Sequence, residues 1–131
     1  MRVLPFSIAL RAGEPVYEQV VYAVRRAVVT GQLRPGDPFP SVRALSQALK
    51  INPNTAHRIV AELVAEGTLT VRPGIGTIVG QAREGSNRAR RALLKEEAER
   101  LVVEARRAGL SLQDVLAALR RHWARTVRRV G

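Results

Sequence analysis

Apolar and polar positions recur along this chain with two different periods, and the changes of period mark its elements. From Pro15 to Thr30, Tyr17, Val20, Val21, Val24 and Val28 return at helical spacing. This predicts an amphipathic helix that opens on the proline and stops at Gly31. Leu33-Arg34-Pro35-Gly36-Asp37-Pro38 is then a rigid loop of turn formers. Ser41 can cap a short second helix whose apolar stripe is Val42, Leu45 and Leu49, and Lys50 and Ile51 leave that pattern. Asn52 is a good N-cap, and Pro53 suits the first helical position because its missing N–H costs nothing there. A third helix follows to Gly67, burying Ala56, Ile59, Val60, Leu63 and Val64. The period then falls to two: β-prone runs at Leu69 to Val71 and Thr77 to Val79 flank Arg72-Pro73-Gly74-Ile75-Gly76, which predicts a hairpin. Upstream, Phe6, Ile8 and Leu10 alternate in a way that fits a short edge strand within Val3 to Leu10, and Arg11 to Glu14 makes a turn.

Residues 81–87 have no periodic apolar position and contain Gly85 and Ser86, so they read as a linker. Beyond it, Leu94, Ala98, Leu101, Ala105 and Ala108 form a heptad-like seam on one long helix from Arg88 to Ala108. Gly109 ends that helix. Ser111 caps the next, with Asp114 as its acidic capping-box partner. Leu112, Leu116, Leu119, Trp123, Val127 and Val130 continue an apolar stripe. A two-helix hairpin leaves much of such a surface wet, and pairing with a second copy into a symmetric four-helix interface covers it. Trp123 is the candidate anchor of that interface; the alternative is that it fills space inside its own hairpin.

The two short helices joined at Lys50 and Ile51 have the form of a helix-turn-helix, and a hairpin placed directly after the second helix is a wing. The outer face of that helix carries Asn54, Thr55 and Arg58, with His57 at its edge. Three of these lie near the positive end of the helix dipole, where phosphate is favoured. Asn and Arg also match adenine and guanine edges in the major groove. Arg72 belongs to the wing, and Gly74 and Gly76 make its turn and let backbone N–H groups approach phosphate. The plain alternative is a capped helix pair with a solvated outer face. Tyr17 reads as core, with a hydroxyl that can reach a phosphate as the other possibility.

Composition narrows the function classes. The 131 residues include 22 basic and 11 acidic side chains, a formal net charge of +11, which favours nucleic acid or an anionic surface. Residues 1–80 carry +4 and residues 81–131 carry +7. The tail, with Arg128 and Arg129 in its last turn, therefore either adds phosphate attraction or is a soluble arginine-rich helix surface whose charges find i,i+4 partners. There is no cysteine, and the two histidines have no acidic cluster beside them, so neither a metal site nor a cofactor is expected. His57, His122 and Ser41 show no nucleophile–base spacing, which argues against an enzyme. No apolar run has membrane-spanning length and the start does not fit a signal peptide, so a cytosolic protein without membrane contact is expected.

Three linked segments, PVYEQV at 15–20, GQLRPGDPFPSVRALSQAL at 31–49 and INPNTAHRIVAELVAEGTLTVRPGIGTIV at 51–79, closely resemble the winged-helix domain of GntR-type bacterial transcription regulators. The helical tail resembles the short-tailed YtrA-like subgroup. By this resemblance the PSxR motif falls on Ser41 and Arg43, whose arginine contacts DNA. The NPNT start of the recognition helix falls on Asn52, Pro53, Asn54 and Thr55, followed by the basic Arg58, and the wing's RxGxGT falls on Arg72, Gly74, Gly76 and Thr77. Pro73 and Ile75 stand where many relatives carry basic residues, and Val60 where they carry an aromatic.

The expectation is a mostly α chain with a small β wing: a winged helix-turn-helix over 1–80, a linker over 81–87 and a helical dimerisation region over 88–131. Leu94, Ala98, Leu101, Leu116, Leu119 and Trp123 are its candidate dimer contacts. Its expected partners are double-stranded DNA, as an inverted-repeat operator, and a second copy of itself, and the resemblance to YtrA-like regulators implies a repressor. A winged helix used for protein docking and an architectural DNA binder without sequence preference remain alternatives. The sequence names no small-molecule effector and does not separate repression from activation.

Overall fold

The hydrophobic positions predicted for the first helix and the helix pair close over one core. The computed structural model describes residues 4–81 and 87–126, and these fall into two compact units. In the N-terminal unit α1 (Val16–Val29), α2 (Val42–Leu49) and α3 (Pro53–Ala65) are followed by an antiparallel hairpin, β1 (Leu69–Arg72) and β2 (Gly76–Val79). Val20, Val21, Val24 and Ala27 of α1, Leu45 of α2, and Ala56, Ile59, Val60 and Leu63 of α3 are buried together with Leu33, Leu69 and Val79. The core is aliphatic except at one end, where Phe6 stacks on Phe39 with ring centroids 5.8 Å apart.

The helix ends follow local chemistry. Ser41 Oγ accepts the Ala44 N–H at 3.1 Å, and Asn52 Oδ1 accepts the Asn54 N–H at 2.7 Å, so one otherwise unsatisfied donor is paired at each start. Between the helices Lys50 takes a left-handed conformation (φ 56°), and its N–H and that of Ile51 both donate to the Ser46 carbonyl. That single turn reverses the chain and lets α2 pack on α3.

One expectation for this unit is corrected and another is extended. Phe6, Ile8 and Leu10 do not form an edge strand: Phe6 plugs the core, Ile8 is half-buried, Leu10 is exposed, and the described part of the segment has no strand partner. In place of a ladder, the Phe6 ring and hydrogen bonds between Ser7 and Gln32 and between Arg11 and Gln19 hold it. Conversely, the loop at 33–38 is more than a spacer. The Gly36 N–H donates to the Val79 carbonyl, the Val79 N–H to the Asp37 carbonyl and the Phe39 N–H to the Thr77 carbonyl, so this segment lines the free edge of β2.

In the C-terminal unit, Asn87, expected in the linker, is the first residue of α4 (Asn87–Ala92). A π-helical turn at Leu93–Glu97 joins it to α5 (Ala98–Arg107), with the Ala98 N–H reaching back five residues to the Leu93 carbonyl. The uniform seam expected here is therefore broken. A π turn holds one extra residue, so Leu93 (62 % exposed) takes the phase of Leu101 that Leu94 (77 % exposed) would hold in an unbroken α-helix. At Gly109 (φ 78°) the Leu110 N–H bonds the Ala105 carbonyl and the Gly109 N–H bonds the Arg106 carbonyl, a Schellman closure. Ser111 and Asp114 then bond each other's backbone N–H at the start of α6 (Leu112–Thr126), as the capping-box pattern requires. Trp123 is 78 % exposed, so it does not fill space inside its own helix pair. Val127, Val130, Arg128, Arg129, Val3 and linker residues 82–86 lie outside the described residues.

Candidate nucleic-acid interface

The candidate residues come from three elements of the N-terminal unit: the start of α2, the start of α3 and the wing. The local capping that shapes these starts also divides the candidates into two groups. Ser41 and Asn52 use their side-chain oxygens as helix caps, so their chemistry is first structural. Asn54, His57 and Arg58 stand exposed on the first turns of α3, and Thr55 is half-buried beside them. Arg43 is exposed on the first turn of α2, and the buried Ser46 hydroxyl, one turn on, donates to its carbonyl at 3.0 Å.

Charge is segregated along α3. Its first turn contains no acidic residue, which leaves the positive end of the helix dipole open to an anion. Its acidic side chains, Glu62 and Glu66, sit at the other end and face Arg25 of α1. Arg25 Nε donates to Glu66 Oε2 at 3.0 Å, a second guanidinium nitrogen bonds the other carboxylate oxygen, and Glu62 stands 3.9 Å away. Thr68 Oγ1 also donates to Glu66.

The four arginines of this region are held differently. Arg25 is neutralised by Glu66. Among the described residues no carboxylate pairs with Arg58; its guanidinium carbon lies over the Tyr17 ring, 4.7 Å from the centroid, a cation–π contact. Among the described residues Arg43 and Arg72 have neither kind of partner, so both charges face solvent. In the wing the Ile75 N–H donates to the Arg72 carbonyl at 3.0 Å. Gly74 (φ 77°) and Gly76 (φ 109°) occupy backbone conformations that suit glycine. Thr77, half-buried opposite Val71, supports the hairpin, and Ile75 is the exposed apolar residue of the tip.

The spacing of NPNT and R58 predicted this polar face, whereas nothing in the local pattern announced the Tyr17 stack or the Arg25–Glu66 pair. Their partners lie 41 residues apart, on different helices. A protein-docking surface on α3 would be apolar and weakly charged; Asn54, His57 and Arg58 make it polar and basic. Among the described residues no cluster of three or more His, Asp or Glu side chains is placed to hold a metal, and no helix is long and apolar enough to cross a membrane.

Comparison with known proteins agrees with this arrangement. Residues 16–79, from the first residue of α1 to the end of β2, match the family described as "Bacterial regulatory proteins, gntR family". The chain is 32 % identical over 106 residues to the HTH-type transcriptional repressor YtrA of Bacillus subtilis, covering 80 % of this chain and 82 % of that protein. It is 29 % identical over 110 residues to the HTH-type transcriptional regulator YhcF of the same organism, covering 84 % and 91 %. Its fold is shared with a solved transcriptional antiterminator from Listeria monocytogenes EGD-e, with a TM-score of 0.76 over 96 % of each chain at 22 % identity. The likeness to YtrA and YhcF runs past the wing into the helical tail, and the chain belongs to the GntR family of bacterial regulatory proteins as a YtrA-like transcription regulator with an N-terminal winged-helix DNA-binding domain.

Proposed function

We propose that the chain acts as a homodimeric repressor that recognises an inverted-repeat operator. Each protomer would insert the start of α3 into the major groove and lay its wing against the neighbouring backbone. The observation that carries this reading is the exposed, acid-free start of α3, where Asn54 and Arg58 share one face four residues apart. Arg43 and Arg72 supply phosphate contacts on either side. Ser41, Asn52, Thr55, His57, Gly74, Gly76 and Thr77 shape the surface or lie at its edge.

Dimerisation belongs to the C-terminal unit. Leu101, Leu112, Leu119 and Trp123 are exposed there, an apolar area that a second copy would cover. A twofold dimer sets its recognition helices about 34–36 Å apart, or a multiple of that distance, and so selects a palindromic site. Repression is proposed because the relative YtrA is named a repressor. A regulator working on DNA in this way would be cytoplasmic.

The test is binding to the protein's own upstream DNA and to a shuffled duplex across a salt series. Specific recognition leaves a gap on the order of 10³-fold between the two duplexes, beyond the steep salt dependence both share. Asn54→Ala and Arg58→Ala should each weaken operator binding by about 10- to 100-fold and leave the shuffled duplex less affected. Equal affinity of the wild type for both duplexes, repeated with DNA selected from random sequence, would identify an architectural binder; no binding to either would favour a protein-docking role.

A further inference from the structure

We infer that Tyr17, on a helix outside the helix-turn-helix, is a positioning residue for specificity: its ring holds the Arg58 guanidinium in place without consuming that group's charge or its hydrogen-bond donors. The inference rests on the proposal that Arg58 reads DNA.

The geometry has three parts. Tyr17 lies in the first turn of α1, just after Pro15, and is half-buried against the core, so its ring is fixed by packing. α1 packs on α3, which brings that ring beneath Arg58, with 4.7 Å from guanidinium carbon to ring centroid. Arg58 is the only arginine of α3, and Arg58 and Asn54 lie one turn apart on its outer side.

The chemistry follows from what a stack leaves free. A carboxylate would bind a guanidinium through its N–H edge and cancel its charge, as Glu66 does to Arg25. An aromatic face binds the flat side of the cation. The N–H donors lie in the guanidinium plane and stay directed outward, and the positive charge is retained. A long side chain that would otherwise sample many rotamers is thus ordered before DNA arrives. Preorganisation of this kind strengthens the complex whose geometry it matches and does little for contacts that accept any geometry. Tyr17 should therefore affect discrimination between duplexes more than general affinity. The ring performs this role, and the hydroxyl is dispensable.

The test uses the full chain, a duplex that the wild type selects from random DNA, and a shuffled duplex of the same composition. Tyr17→Leu should weaken binding to the selected duplex by about two- to fivefold and leave the shuffled duplex unchanged. Tyr17→Phe should bind as the wild type does. In an Arg58→Ala background Tyr17→Leu should have no further effect. In the protein without DNA, the Arg58 side-chain protons should show an upfield ring-current shift by NMR in the wild type and in Tyr17→Phe, lost in Tyr17→Leu. Thermal melting separates these effects from loss of fold, and Tyr17→Phe retains the packing if Tyr17→Leu does not fold. The inference is overturned if Tyr17→Leu and Arg58→Ala act independently, if Tyr17→Phe loses as much as Tyr17→Leu, or if the wild type lacks the ring-current shift. If Arg58→Ala itself binds the selected duplex unchanged, the DNA-reading role of Arg58 has failed and the inference falls with it; an Arg58→Ala effect without coupling to Tyr17 sinks the inference alone.

Discussion

Gly80 shows how much a single missing side chain can matter. It is buried where the chain leaves β2, and its N–H donates to the Thr68 carbonyl at 2.8 Å. A Cβ atom there would lie 2.4 Å from the Gly67 carbonyl oxygen and 3.0 Å from Thr70 Oγ1. Backbone at the end of α3 cannot move aside as a flexible side chain would, so Gly80→Ala must open the α3–β1 junction. The expected cost is about 1–3 kcal/mol, measured as a lower urea midpoint at unchanged slope. An unchanged midpoint would show that the junction can open at no cost. Gly74, by contrast, has open space around its Cβ position and needs glycine only for its backbone angle. In the sequence Gly74 is marked as a turn residue by its place between two β-prone runs, whereas nothing local marks Gly80. The same holds for the arginines. Asn54 and Arg58 were recognisable from the cap and the period of α3, but whether an arginine is neutralised, stacked or open depends on residues far along the chain.

Among the elements, α1 does more than support the helix pair. At one end Tyr17 meets the start of α3, and further along Arg25 clamps the end of α3, where the chain turns into the wing. Partial burial is the largest single influence on the Glu66 carboxyl and favours its protonated form. Hydrogen bonds from Arg25 and Thr68, together with the Arg25 charge, outweigh it and hold the group below its usual range. The folded value is depressed relative to the unfolded chain, so the stabilisation is present above the unfolded carboxylate value of about 4.3 and is lost as pH falls through the folded value. Both side chains keep partial solvent exposure, which screens the pair to about 0.2–1 kcal/mol. Denaturation at neutral pH should therefore find Glu66→Gln less stable than the wild type by that amount, with the difference shrinking in acid. A difference that persists at about pH 3 would assign the effect to packing.

For the whole molecule the question is what covers the apolar surface of the C-terminal unit. Ala105 is its one buried apolar residue among those described, while Leu93, Leu101, Leu112, Leu119 and Trp123 face outward. Trp123→Ala should weaken the proposed dimer by about 2 kcal/mol or more, roughly 30-fold in its dissociation constant, as seen by sedimentation equilibrium over a range of concentrations. A variant as dimeric as the wild type would show that the tryptophan lies outside the interface. A weaker dimer should also bind its operator with a steeper dependence on protein concentration, since two half-sites are then no longer read by one preassembled unit.

Short-range chemistry specifies one set of features, and these are legible in residue order. Caps at Ser41, Asn52 and Ser111, stops at Gly31, Gly67 and Gly109, and the change of period after Gly67 place the helices and the hairpin to within a few residues. The motifs on this frame carry the family resemblance and the polar face of α3. Tertiary structure alone decided the features that need a distant partner. Alternation at Phe6, Ile8 and Leu10 makes no strand, and Phe6 stacks on Phe39 instead. The loop at 36–39 satisfies its backbone groups on β2, some 40 residues later, which no local propensity encodes. The π turn at Leu93–Glu97 shifts a seam that looked regular when counted in heptads. Residue order specifies which backbone conformations are cheap; which side chain meets which depends on how several such elements share one core.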